Sequence, residues 1–304
     1  SWVDANTDSV CAQRYNASGV AVGPETVVRA AAGAAWSTSA AMNSSGSFVI
    51  TWSGTLATTV DIYGQRYDAS GVAQGSTTRV NSTEAGYQEG PAVAMADDGS
   101  FVIAFEDPNA GASGGVYVQR YNASGVAQGA NVKANSYDAQ SQDHAAVAMN
   151  ANGQFIVTWQ SSLQDGGGYG IYAQHFNADG SASGGELHVS TTTSGEQYYP
   201  AVAYRGGKAV VAWSGVGTGD ATDSGVFFQR YSEPANTAPT FNGAAFGGGD
   251  GITTAAIGTR DDEGYAMTVQ PDGKILVAGY AANASNVNYD FALARYNADG
   301  TPDT

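Results

Sequence analysis

The chain has 304 residues, enough for one large domain or two ordinary ones with a sizeable core. Only 13% of residues are charged and 41 are glycine, a composition that favours strands and turns over helices. Twelve Lys plus Arg against 28 Asp plus Glu give a net charge of −16, a surface that repels nucleic-acid backbones and anionic lipid; no stretch approaches the ~20 apolar residues of a membrane span, so membrane insertion is not expected.

The first segment, SWVDANTDSVCAQRYNASG (residues 1–19), reads as two strands and a turn. Asp4, Asn6 and Asp8 carry the D-x-N-x-D spacing that opens a calcium loop built from hard oxygen ligands. Ser9 stands where that loop needs glycine, and Tyr15 where it needs the closing Glu. Calcium is the one cofactor the sequence suggests. Cys11 is the only cysteine, so neither an internal disulfide nor a thiolate metal site is available. Its place is taken by Tyr63, Tyr117, Tyr172 and Phe227 in later segments, which makes it a small core residue. No initiating Met or signal peptide opens the chain, which has the look of a mature or excised piece of something longer.

From here two phrases alternate. SAAMNSSGSFVITW (39–52) precedes IYGQRYDASG (62–71), and AVAMADDGSFVIAF (92–105) precedes VYVQRYNASG (116–125). AVAMNANGQFIVTW (146–159) then precedes IYAQHFNADG (171–180), and AVAYRGGKAVVAW (201–213) precedes VFFQRY (226–231). The period is about 54 residues, the mark of a repeat architecture. Each period holds four strand-sized segments a to d. Hairpin turns join a to b and c to d, where Gly supplies positive φ and Asn or Asp bonds back to its own backbone. Four antiparallel strands repeated about a ring is the β-propeller plan, an all-β fold that protects its sheet edges by radial repetition. Counting strand c gives six blades, with strand a missing from the first and strand d from the last. Five to eight blades, or an open repeat array, are the alternatives.

At SEPANTAPTFNGAAFGGGDG (232–251) prolines and a glycine run read as a linker or long loop. It separates repeats 1–231 from 252–304, a last segment expected to close the same propeller. That segment, with VQPDGKILVAGY and DFALARYNADGTPDT, resembles the bacterial delta-sixty repeat. Residues 1–231 resemble more loosely the propeller repeats of giant secreted bacterial proteins that carry calcium-binding RTX and cadherin-like modules, and NTAPT is similar to their inter-module joints. The resemblance implies a secreted or cell-surface bacterial protein, adhesive or structural, with a glycan or neighbouring surface-protein modules as partner. It brings no catalytic residues.

The recurring residues have two readings each. Arg14, Arg66, Arg120, Arg230 and Arg295 recur in strand c, with His175 once in their place. They form either an anion-binding ring or, as we favour, structural latches onto carboxylates such as Glu89, Asp143 and Glu263. Trp2, Trp52, Phe105, Trp159 and Trp213 end strand b and either stack on sugars or, the favoured reading, fill the space between blades. The triplets at Asn16, Asn43, Asn81, Asn122 and Asn283 read as turn chemistry rather than glycosylation sites.

Chemistry should lie in what differs between repeats. The b–c and d–a loops, which share one face of a propeller, bring together Asp107, Asp143, His144, Asp165, Tyr169, Gln197, Tyr198 and Tyr199. Amides and carboxylates beside tyrosines suit carbohydrate recognition, and also hard cations. Enzyme motifs such as G-x-S-x-G and H-E-x-x-H are absent. Of three histidines only His144 sits in a loop, and a carboxylate pair for glycoside chemistry would come from Asp107, Asp143, Asp165 and Glu196. The favoured function is a non-catalytic scaffold, adhesion or glycan-binding module. The alternative is a polysaccharide-active enzyme, which needs one asymmetric cluster where a binding module would have near-equivalent sites.

Overall fold

The computed structural model describes residues 1–30, 33–55, 59–82, 86–108, 114–191, 193, 195–216, 224–232, 240–241, 252–255, 262–270, 272–282, 289–298 and 301–303. They form two compact units, Ser1–Ala134 and Asn135–Thr304. Every element assigned among them is a strand or a turn, and none is a membrane-length apolar helix.

Unit one holds three antiparallel sheets. The first is β1 (Trp2–Asp4), β2 (Ser9–Ala12) and β3 (Thr26–Arg29). The second is β4 (Ala35–Met42), β5 (Phe48–Thr55), β6 (Val60–Tyr67) and β7 (Ala73–Arg79), and the third β8 (Glu89–Met95), β9 (Phe101–Asp107), β10 (Gly115–Tyr121) and β11 (Val132–Lys133). Unit two continues with β12 (Gln142–Met149), β13 (Phe155–Ser162), β14 (Tyr169–Phe176) and β15 (Leu187–His188). Its second sheet is β16 (Gln197–Arg205), β17 (Lys208–Val216) and β18 (Ser224–Ser232), with β19 (Thr240–Phe241) and β20 (Ile252–Ala255) both paired to β18. Its third is β21 (Asp262–Val269), β22 (Ile275–Ala282) and β23 (Tyr289–Tyr296). Among the described residues the first and last sheets have three strands, without a and d respectively. Most of 232–251 lies outside the described residues. Thr240–Phe241 and Ile252–Ala255 hydrogen-bond to the fifth sheet, so β20, which composition groups with the last segment, serves as that sheet's d strand.

The turns work as their residues dictate. Asn16, Asp68 and Asn122 each accept the amides two and four residues on with one side-chain oxygen, and Gly19, Gly71 and Gly125 take the positive φ that closes the turn. Asn43 accepts the Ser47 amide in the same way, and Asn81 is buried, accepting the Ile62 amide. Asn283 lies outside the described residues.

Apolar side chains from facing sheets pack in layers within each unit. Val10 and Ala12 meet Phe48, Ile50 and Trp52; Val49 and Ile62 meet Val93, Phe101 and Ile103. In unit two Ile156 and Ile171 meet Val202 and Val211, and Val210 and Phe228 meet Ile275 and Val277. Each such side chain, sealed from water, contributes about 1.5–3 kcal/mol. The strand-b aromatics belong here: Trp52, Phe105, Trp159 and Trp213 are at most 2% exposed, which leaves no face for a sugar, while Trp2 is 39% exposed. Cys11 is buried opposite Trp2, in the register that pairs Trp52 with Tyr63 and Phe105 with Tyr117, and burial pushes its thiol pKa up.

The arginine latch exists at Arg14 and Arg66, and there it takes main-chain carbonyls where carboxylates were expected. Arg14 donates to the carbonyls of Ala69 (2.7 Å) and Ser70 (2.8 Å) in the next sheet's c–d turn. Arg66 donates to Ala123 (2.7 Å), and Arg230 to Ala298, both at the corresponding turn of the sheet that follows. Asp143 instead accepts from Ser141 and His144, and the side chain of Glu263 lies outside the described residues. The guanidinium reaches along the sheet stack to carbonyl dipoles at the turn, so it needs no buried countercharge. Where His175 replaces Arg, its Nε2 meets the Tyr204 hydroxyl at 3.2 Å, and Arg295 pairs with Asp303.

Candidate functional site

Strand a carries a β-bulge in five sheets, two residues opposing the position that ends strand b: 37–38 opposite Trp52, 90–91 opposite Phe105, 144–145 opposite Trp159, 199–200 opposite Trp213 and 264–265 opposite Gly279. A bulge re-aims side chains at the strand's start. Its first residue is left-handed in four sheets, with φ of 49° at Ser37, 61° at Gly90, 54° at His144 and 54° at Tyr199. Gly90 accepts this freely, whereas Ser37, His144 and Tyr199 hold it at a cost of about 1–2 kcal/mol each. Such outliers point to function.

In unit two the bulges gather a cluster of rings. The His144 ring meets Tyr199 edge-on at 4.9 Å, Tyr199 lies 5.2 Å from Tyr265, and Tyr265 lies 5.6 Å from Tyr280. Tyr198 links Tyr199 at 5.9 Å to Tyr169 at 5.5 Å. His144 and Tyr265 are exposed, so the cluster opens to solvent.

Two carboxylates are set into it. Asp143 accepts from Ser141 Oγ at 2.7 Å and faces His144 Nδ1 at 3.1 Å. Because a carboxylate only accepts, Nδ1 carries the proton in this contact. Glu196 accepts the Tyr169 amide at 2.7 Å and the Tyr198 hydroxyl. Burial first, then Glu196, pushes the Tyr198 phenol up to about 12; burial, then Asp143 and Glu196, raises Tyr169. Both phenols therefore stay protonated as donors at neutral pH.

The other sequence candidates go elsewhere. Asp165 belongs to a separate group: its carboxylate, 5% exposed, lies 3.3 Å from His188 Nε2 without donor–acceptor alignment, and that nitrogen contacts Ser190 Oγ at 3.2 Å. His188 stacks on Tyr172, and burial outweighs Asp165 in lowering its pKa. Gln197 is 2% exposed and repeats the positions of Gln88 and Gln142, which hydrogen-bond Asn81 and Asn135; it is a core residue rather than an exposed ligand. Asp107 is buried in unit one. Asp4 accepts the Asn6 amide at 2.8 Å, closing a turn, and among the described residues no group of three or more His, Cys, Asp or Glu is placed to hold a metal. Reading loops alone misses Tyr265 and Tyr280; the signal for Tyr265 is its place two residues before the "MTV" of strand a, the bulge of its repeat.

A family model described as a domain of unknown function (DUF5122), beta-propeller, matches residues 270–304. No curated protein matches the chain. A crystal structure of a protein of unknown function from Dyadobacter fermentans is similar at 14% identity and a TM-score of 0.55, over 87% of this chain and 79% of that one. An alpha-L-arabinofuranosidase from Lactobacillus brevis is similar at 13% identity and a TM-score of 0.46, over 87% and 92% of the two chains. A Bacillus subtilis arabinanase is similar at 11% identity and 0.46, over 88% and 96%. Successive antiparallel sheets of three to five strands and the family match of the last segment give the fold class. It is an all-β propeller fold.

Proposed function

We propose that this chain is a polysaccharide-active enzyme that takes neutral glycan chains at the cluster of Asp143, His144, Tyr169, Glu196, Tyr198 and Tyr199. The observation that carries this reading is asymmetry. The bulge backbone is alike in both units, but unit one puts the small residues Ser37 and Gly90 there, whereas unit two puts the rings of His144 and Tyr199. One irreplaceable cluster is what a reaction needs; a repeated binding module would copy its site from sheet to sheet.

The chemistry follows from the groups present. Tyr199 and Tyr265 offer ring faces to the apolar side of a sugar, and the Tyr169 phenol donates to its oxygens, while the Tyr198 proton is held by Glu196. Cleavage of a glycosidic bond uses two carboxyl groups, one protonating the leaving oxygen and the other activating water or attacking the sugar. Asp143 and Glu196 supply that pair, each held by a donor. A carboxylate-lined site on a chain of net charge −16 repels uronate polymers, which selects neutral substrates. An extracellular setting would suit such a substrate and the resemblance of the repeats to those of secreted bacterial proteins.

A second reading, glycan binding without turnover, is favoured by the hydrogen bonds Glu196 already accepts from Tyr169 and Tyr198. Incubating the protein with a panel of neutral polysaccharides and measuring both reducing ends and binding separates the two. Turnover that falls by about a hundredfold or more in Glu196→Gln and Asp143→Asn, with affinity within a few-fold, establishes the enzyme. Binding with no new reducing ends on any substrate establishes the module. Neither binding nor turnover overturns both.

A further inference from the structure

Unit one holds a feature that the proposed reaction does not use. Between the second and third sheets is a cavity of about 170 Å³. Its floor includes Val80, Phe101 and Ile103, and its mouth Arg66, Thr78 and Ser124. One residue of its lining sets this repeat apart. At the middle of strand c, where other repeats carry Ala12, Val118, Ala173 and Phe228, the second has Gly64. Glycine is not demanded there: its φ is not left-handed, and a Cβ would sit at ordinary contact distance, 3.7 Å from Thr51 Cγ2 and 3.8 Å from Ile103 Cδ1.

The latch at this cavity is also different. Arg14 uses two guanidinium nitrogens on two carbonyls, Ala69 and Ser70. Among the described residues Arg66 bonds only the Ala123 carbonyl, through Nη1, which leaves Nε and Nη2 as further donors at the mouth. Among the described residues lining the cavity Arg66 is the one cation, and no Asp or Glu joins it. In a chain with 28 acidic and 12 basic residues that local sign is informative.

We propose that this cavity binds a small carboxylate built on a single six-membered ring, the ring against Phe101, Ile103 and Val80 and the carboxylate on Arg66. Size sets the ring: an apolar cavity of roughly 150 Å³ admits benzene, and drug-sized ligands need about twice that or more. Charge and shape set the head group, because a planar guanidinium with two donors to spare matches a carboxylate's two oxygens. The hydroxyls of Thr78 and Ser124 complete a polar rim over an apolar floor.

The test titrates the whole chain with benzoate, followed by protein-observed NMR and calorimetry, with benzamide as the uncharged analogue. Saturable benzoate binding is expected, weaker by about ten- to a hundredfold for benzamide and for Arg66→Gln, the loss of a charge-assisted contact. Arg14→Gln removes a latch of the same kind that does not line this cavity and should bind benzoate like the parent. Gly64→Val, which writes in the residue of the next repeat, should fold, melt no lower than the parent and lose benzoate. This variant decides the question even if Arg66→Gln unfolds. No saturable binding to the parent, equal affinity for benzamide, or unchanged affinity in Gly64→Val would overturn the proposal.

Discussion

Replacing Trp52 by alanine and by phenylalanine should have very different costs. The indole is fully sealed among Val10, Ala35, Ile50 and Tyr63, so Trp52→Ala removes a large aromatic from a site with little room to collapse, a loss of about 3–5 kcal/mol. Trp52→Phe gives up part of that burial, ~1–2 kcal/mol. It also deletes an indole N–H that has no hydrogen-bond partner in its buried position, which returns ~1–3 kcal/mol. The third repeat shows that the geometry survives: Phe105 faces Tyr117 with centroids 6.0 Å apart and planes 22° apart, against 6.0 Å and 25° for Trp52 and Tyr63. The phenylalanine variant is therefore expected within ~1 kcal/mol of the parent, the two terms nearly cancelling. Urea unfolding followed by circular dichroism measures both, and at about 4 °C per kcal/mol for a unit of this size the alanine variant should melt some 12–20 °C lower. If Trp52→Phe proves as costly as Trp52→Ala, the orphaned N–H is not a real penalty. If Trp52→Ala melts like the parent but loses a glycan, the tryptophans are a binding platform and not a core.

Arg14→Ala should destabilise unit one by ~1–3 kcal/mol in urea unfolding, less than a buried ion pair would cost because the released Ala69 and Ser70 carbonyls regain water; an unchanged midpoint would refute the latch. Tyr121 is buried with its phenol pushed up to about 12, so its contribution is fully present below pH 10, the unfolded value, and is lost as pH rises through 12. Two pH units correspond to ~3 kcal/mol, and Tyr121→Phe should flatten that part of the alkaline unfolding curve; an equal slope in the variant would show that the loss arises elsewhere. With Asp4 Oδ1 already accepting the Asn6 amide, thermal melts in excess calcium and in chelator are expected to coincide, and a rise of several degrees in calcium would restore Asp4, Asn6 and Asp8 as ligands.

Strands and turns were legible because each repeat states them in side chains: alternating apolar residues, then Asn or Asp followed by Gly. The latch partner was not, because Arg14 and Arg66 bind main-chain carbonyls, which every residue carries and no letter records. Carboxylates near the right position were the visible candidates, and neither Arg14 nor Arg66 takes one. Gln197 looked like part of a variable loop, yet its recurrence as Gln88 and Gln142 was the mark of a core position. His144 and Tyr199 were named from loop composition. What joins them is a bulge opposite the strand-b tryptophans, and a bulge is a two-against-one count between strands that no single strand displays. Tyr265 escaped for the same reason.

That an arginine grips its neighbour by the peptide backbone bears on how such a chain can change. A side-chain partner would have to be inherited along with the arginine, so copying or exchanging one repeat would break a matched pair. Carbonyls at Ala69, Ser70 and Ala123 come with the turn whatever its letters, and the chief demand on the turn is a glycine: a Cβ at Gly71 would stand 3.0 Å from the Arg14 guanidinium, and one at Gly125 2.3 Å from Arg66 Nε. Repeats joined in this way are interchangeable parts with a common fitting. Their exposed faces can drift independently, and one group of them can turn bulge positions into chemistry while the rest keep Ser or Gly there and hold the frame.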